Sequence, residues 1–348
     1  MRVPSYADTY QVLLLQAADE GRGPVLFGNS FERARTAVLP FLVGERFPSV
    51  YLEYPLAGDP FLDVTMLYSR LEPGTRVDSD MAVGTEAMFD WFIEAHDLHT
   101  DTCCGFEIDT KNPELPAAAV HFQPRSHTDM VAPFCEAIGE PQRAKLYLDL
   151  ASRMPKTWQL SFFGMFRGRP GSPLRVCGYL GSDEIAACAA NPRHIAGRFD
   201  DIGFTAYDDA MIDQVAQLMA AVPNSGDFQF DIYPDGSLGS VFAIDVEFGV
   251  EQPHAIRASF ADGPCGRIMR LLESWGAADE RWKLAADSAF ACALPVELDD
   301  GTAGQYAFTL MPRWVKARWA NGILQPAKLY HLAQAGLLGV EHETGHSD

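Results

Sequence analysis

Residues 48–68 read PSVYLEYPLAGDPFLDVTMLY, and the fold turns on how this stretch is read. Successive side chains on a β-strand point to opposite faces. In the first half, Val50, Leu52, Tyr54 and Leu56 form an apolar set, and Tyr51 and Glu53 lie on the other face. After a turn at AGDP, Leu62, Val64, Met66 and Tyr68 separate in the same way from Asp63, Thr65, Leu67 and Ser69. Such a hairpin needs an apolar cover on one side. On the other it needs water or a polar cavity, because an unpaired polar group is costly to bury.

The pattern recurs along the chain. Further hairpins are expected over 103–109 with 117–123, 158–166 with 174–180, 227–235 with 238–248, and 313–320 with 323–331. Turn chemistry supports three of them: GRPGSP, Asp235-Gly236 and Asn321-Gly322. Helical periodicity follows most hairpins. It appears in GTEAMFDWFIEAHD, in HTDMVAPFCEAIGEPQRAKLYLDLASRM, in two helices over SDEIAACAANPRHIAGRF and AYDDAMIDQVAQLMAAV, and in two more around Gly276. Ser182 and Asp183 suit the N-cap region of one of these. A helix is expected within 1–20 and a frayed polar tail at 340–348, and residues 292–311 hold extended segments without an assigned partner.

Hairpins in series close into a barrel that leaves no free sheet edge. The predicted fold is therefore α+β, a single domain over 1–348. It is a closed antiparallel β-barrel of about ten strands built from repeated β-hairpins and surrounded by an outer ring of α-helices. Alternation assigns to the lumen Tyr51, Glu53, Asp63, Thr65, Glu107, Asp109, His121, Gln123, Ser161, Arg175, Cys177, Tyr179, Asp231, Tyr233, Asp245, Lys316, Arg318, Lys328 and Tyr330.

Bulk properties narrow the function. The 348 residues are 47% hydrophobic and 21% charged, as in ordinary globular proteins. No apolar run approaches the ~20 residues of a membrane span, so no membrane partner is expected. The N-terminus lacks a signal-peptide pattern, and the expected location is cytoplasmic. A net charge of −20 argues against a nucleic-acid partner. The seven cysteines include no C-x-x-C pair, so reduced thiols are expected, and no zinc-type ligand spacing is present.

A barrel of hairpins and helices whose first strand carries LE resembles the ABBA, or PT-barrel, prenyltransferases over about residues 48–332. YLEYPLAGDPFLDVTMLY, CGFEIDTKNPELPAAAVHFQP and WVKARWANGILQPAKLYH are similar to the cyanobactin-type peptide prenyltransferases, and FDIYPDGSLGSVFAIDV resembles the fourth hairpin of the wider fold. The resemblance implies that Glu53 hydrogen-bonds or deprotonates the acceptor. A carboxylate in a partly dry barrel with a raised pKa would suit that role. It also implies a prenyl diphosphate held by inward cations and a carbocation shielded by aromatic rings. Arg175, Lys316, Arg318 and Lys328 are the candidate diphosphate ligands, and Tyr179, Tyr233 and Tyr330 the candidate shield.

The chain departs from that pattern in its charges. Ala117, Ala118 and Ala119 stand where the family places a cation, and the four inward cations face Glu53, Asp63, Glu107, Asp109, Asp231 and Asp245. Such a lumen suits a diphosphate only if Mg²⁺ bridges the charges, with no tightly bound cofactor expected. Three functions therefore stand side by side. One is prenyl transfer to a peptide substrate. Another is a tailoring reaction of ribosomal peptide maturation without diphosphate, such as thioether-forming (lanthionine-type) cyclisation using Glu53, His121, Asp231 and Tyr233. The last is a non-catalytic peptide-binding barrel.

Overall fold

The computed structural model describes residues 1–19, 21–44, 46–77, 85–95, 101–110, 119–124, 127–221 and 226–338. The expected tail at 340–348, and Ala117 and Ala118, lie outside the described residues. Twelve strands form one sheet: β1 Ser49–Pro55, β2 Asp63–Tyr68, β3 Cys103–Ile108, β4 Ala119–Gln123, β5 Trp158–Met165, β6 Leu174–Leu180, β7 Gly226–Ile232, β8 Leu238–Glu247, β9 Phe290–Glu297, β10 Ala303–Ala320, β11 Ile323–Leu324 and β12 Lys328–Leu337. Ten of them close an antiparallel ring in the order β1-β2-β3-β4-β5-β6-β7-β8-β10-β12, with β12 returning to β1. The closing seam joins β8 to β10, from Trp314 opposite Glu247 to Ala320 opposite Val241.

Alternation explains the two faces. Val50, Leu52, Tyr54, Val64, Met66, Phe228, Phe230, Phe242, Ile244 and Val246 are all buried under the helical coat. Each large apolar side chain covered in this way contributes about 1.5–3 kcal/mol, so the outer face carries the fold's stability. The coat comprises α1 Tyr6–Ala18, α2 Arg22–Phe27, α3 Phe31–Ala37, α4 Thr85–Glu94, α5 Val131–Ala137, α6 Pro141–Arg153, α7 Ser182–Ala190, α8 Pro192–Ile202, α9 Asp209–Ala221, α10 Pro253–Asp262, α11 Pro264–Ser274 and α12 Arg281–Asp287. Among the described residues, no helix is long and apolar enough to cross a membrane. All seven cysteines are free thiols.

Several elements differ from the reading above. The stretch 182–221 forms three helices rather than two, because Asn191 caps α8 through its side chain and Pro192 sits in the first turn. Gly181, not Ser182 or Asp183, occupies the N-cap of α7. Helices α2, α3 and α10 were not anticipated. The extended residues after 290 are β9 and the first half of β10, which pair with each other from Phe290 opposite Leu310 to Glu297 opposite Ala303. The Asn321-Gly322 turn has φ of 52° and 77°, the left-handed pair that this two-residue connection from β10 to β11 requires.

Bulges interrupt β5 between Leu160 and Phe162, β7 between Phe230 and Ile232, and β10 between Pro312 and Trp314. The first corrects one lumen assignment. Ser161 is the bulged residue, and Phe162 faces His121 with ring centroids 5.0 Å apart.

Candidate active site in the barrel lumen

Antiparallel closure gives the barrel two unlike ends. At one end β1, β3, β5, β7 and β10 finish and β2, β4, β6, β8 and β12 begin. Lys328, Arg175, Arg318 and Arg169 gather there, Arg169 coming from the loop between β5 and β6. At the other end stand Tyr51, Trp314, Tyr179, Asp227, Asp245 and Glu247, and Lys316 lies between the two groups.

Glu53 sits opposite Asp63 on β2 and opposite Tyr330 on β12. Lys328 Nζ donates to Glu53 Oε1 at 2.6 Å and to Asp63 Oδ2 at 3.3 Å. Burial acts on Glu53 to raise its pKa, but Lys328 and Lys316 outweigh it and hold the carboxyl below the usual carboxylate range. The expectation of a raised Glu53 pKa is corrected here, since a lysine 275 positions away keeps the group ionised. The raised carboxyl is its neighbour. Burial, with Glu53, Asp109 and Glu107 nearby, lifts Asp63 to about 7 against the pull of Lys328. One ammonium shared by two acids leaves the second acid short of charge compensation.

Beyond Asp63, Arg169 donates to Glu107 at 2.9 Å and lies 3.5 Å from Asp109, and Arg175 donates to Asp231 at 3.0 Å. Both guanidinium groups stack on the ring of Phe166, at 3.9 and 4.3 Å. Arg169 and Arg175 hold Glu107 well below its ordinary range despite its burial. His121 is buried beside this group, its pKa pushed down to about 4 by burial and by the two arginines, against the opposing pull of Glu107. Arg318 makes no side-chain hydrogen bond or ion pair among the described residues. Burial, with Arg175 and Arg169 nearby, makes its proton easier to lose than usual. Lys316 and Lys328 stand directly opposite each other on β10 and β12. Lys316 donates to Gln229 at 2.9 Å and lies 3.4 Å from Asp245.

The opposite end is aromatic and acidic. Tyr51, Trp314 and Tyr330 form a row of tilted rings with centroids 4.8 and 5.5 Å apart, and Lys316 lies 5.0 Å over Tyr330. Asp227 faces Asp245 across the ladder. Burial, with Asp245 and Glu247 nearby, raises Asp227 well above its ordinary value, and burial, with Glu53 nearby, lifts Asp245 to about 6 against the pull of Lys316. Tyr179 and Tyr233 are about two-fifths exposed. Tyr179 accepts from Gln123 at 3.4 Å, and Tyr233 lies past β7 at the cationic mouth, against Gly171.

Glu53, His121, Asp231, Arg175, Lys316, Arg318, Lys328 and Tyr330 thus share one inward face, while Tyr179 and Tyr233 stand at opposite rims. Alternation already sets Gln229 on the polar face with Asp231 and Tyr233, and sequence reasoning missed Arg169, Trp314 and Phe166. Trp314 follows the parity of Lys316, so alternation could have found it.

A bridging Mg²⁺ does not fit the cationic end. Glu53, Asp63, Glu107, Asp109 and Asp231 each lie within 3.5 Å of a lysine or arginine nitrogen. Among the described residues, the one group with metal-ligand spacing is Glu184, Cys188 and His194, in α7 and α8. There Arg198, Thr157 and Trp158 already saturate Glu184 and hold it near 2 despite burial.

No family model matches this chain, and no curated protein is similar to it. Solved structures are. The 5-dimethylallyltryptophan synthase from Streptomyces coelicolor is 12% identical, with 95% of this chain and 97% of that chain covered and a TM-score of 0.53. Prenyltransferase PriB in its apo form is 12% identical over 95% and 96%, with a TM-score of 0.52, and its binary complex with product diphosphate is 10% identical with a TM-score of 0.53. At such identities the likeness establishes the PT-barrel fold.

Proposed function

We propose that this single-domain barrel transfers an allylic prenyl group from its diphosphate to a nucleophilic side chain of a peptide. Arg318 carries the reading. An arginine in a barrel interior with no acid bound to it among the described residues, beside two further guanidinium groups and two positions along β10 from Lys316, which faces Lys328, is costly unless an anion joins it. A diphosphate, with several oxygens to share, suits that geometry. The solved PriB complexes carry product diphosphate and dimethylallyl thiolodiphosphate in the same fold.

In this scheme Arg169, Arg175, Arg318, Lys316 and Lys328 stabilise the charge that develops as the allylic C–O bond breaks. The faces of Tyr330, Trp314 and Tyr51 shield the cation, and Tyr179 lines the approach. Ionised Glu53 accepts a hydrogen bond from the acceptor and orients it. The proton displaced by the new bond passes to the Glu53–Asp63 pair. The peptide acceptor rests on the local likeness of the first, second and last hairpins to cyanobactin-type enzymes and on the acidic far end, which favours a basic segment. The cyclase reading loses the argument that favoured it, because Arg169 adds a cation to a lumen judged too poor in them.

The test is incubation of the protein with dimethylallyl diphosphate and a panel of free tryptophan, aromatic peptides and Ser- or Thr-bearing peptides, followed by mass spectrometry. Gain of one dimethylallyl group supports the proposal. Absence of any gain, together with no thermal shift on adding the diphosphate, overturns it.

A further inference from the structure

His121 is a buried titratable group that the scheme above leaves without a task. Its side chain is 3% exposed, and neither ring nitrogen has a hydrogen-bond partner among the described residues. Its place is built rather than incidental. The ring lies between Phe162 and Phe166, at 5.0 and 5.7 Å. Across the ladder stands Gly164, where an added Cβ would come within 2.9 Å of the imidazole. Every charge that bears on it faces the lumen: Glu107 on β3, with Nε2 3.6 Å from Oε2, Arg175 on β6, Arg169 from the β5–β6 loop, and Glu53 on β1.

We propose that His121 is a proton-uptake residue of the anion site: it is neutral in the free protein and becomes imidazolium when a diphosphate engages Arg169, Arg175 and Arg318. The inference rests on the diphosphate reading and adds a role to it. In the free protein Glu107 is taken by Arg169, and two guanidinium groups oppose a proton on the ring. An anion that draws the arginines onto itself frees Glu107 to accept from the imidazole and places negative charge beside it. Both changes favour the protonated ring. The imidazolium then supplies the proton of the leaving group. As the allylic C–O bond breaks, its electron pair stays on the diphosphate oxygen, the His121 N–H proton moves to that oxygen, and the ring returns to neutral.

The experiment is histidine-labelled NMR of the full chain with inorganic pyrophosphate at about pH 6, the H121Q variant serving to assign the signal. The expected result is a neutral His121 without ligand and an imidazolium with it. H121Q, confirmed folded by circular dichroism, should bind pyrophosphate about tenfold more weakly at that pH. Pyrophosphate bound beside a neutral His121, or unchanged affinity in folded H121Q, overturns this inference and leaves the diphosphate reading standing. Failure of pyrophosphate to bind wild-type protein overturns both.

Discussion

The two ends of the lumen are built from the same ten strands and differ in what their charges lack. At the cationic end, Glu53, Asp63, Glu107, Asp109 and Asp231 each have a basic partner, and Arg318 makes no ion pair among the described residues. At the far end, Asp227 and Asp245 face each other with Lys316 as their nearest compensation, and their carboxyls rise. One end is short of an anion and the other is short of a cation. A substrate pair with a polyanionic donor and an acceptor that is neutral or basic matches both deficits, and a symmetric polar tunnel would match neither. The difference arises from strand order, because β12 and β6 begin with their lysine and arginine where β10 ends with its own.

The comparison can be broken at several points. Glu53→Gln preserves shape and removes the ionised acceptor, so turnover should fall about a thousandfold while circular dichroism is unchanged. Retained turnover would remove Glu53 from the chemistry. Lys316→Met should weaken pyrophosphate about tenfold, as expected for one charge-assisted contact, and equal affinity in calorimetry would confine the anion site to the arginines. Asp63→Asn tests the shared lysine through pH. Asp63 has a folded pKa of about 7, above its unfolded value, so the folded state binds the extra proton. Wild-type stability is then lost as pH rises from about 4 to about 7. Thermal melts should show the stability of Asp63→Asn relative to wild type growing across that window by up to about 4 kcal/mol and levelling off above it. A flat difference would mean that Asp63 is ionised throughout. Asp227→Asn, at the far end, should leave pyrophosphate affinity within about twofold. A larger change would merge the two ends into one site.

Much of this was legible in the sequence. Strict alternation in VYLEY and DVTMLY placed Glu53 and Asp63 on one face, and the same parity carried Arg175, Asp231, Lys316 and Lys328 into the lumen. Loops obey no such period, so Arg169 in FRGRPGSP stayed hidden although it folds over the mouth. The bulge at Ser161 has no local signature, and one extra residue exchanges which side chain meets His121. The state of Glu53 was misread for a different reason. Burial is a local property that a strand pattern suggests, whereas Lys328 reaches Glu53 only once the barrel has closed. The helical coat was under-read where short helices abut, although Asn191-Pro192 marks one such boundary.

The central claim is that the lumen end holding Arg318 is an anion site. Calorimetric titration of inorganic pyrophosphate into wild-type protein and into Arg318→Ala at moderate salt tests it most directly. Wild-type binding in the micromolar range, weakened about 100-fold in a folded Arg318→Ala, is the predicted result. Absence of binding to the wild type, or equal affinity in the two proteins, would contradict it.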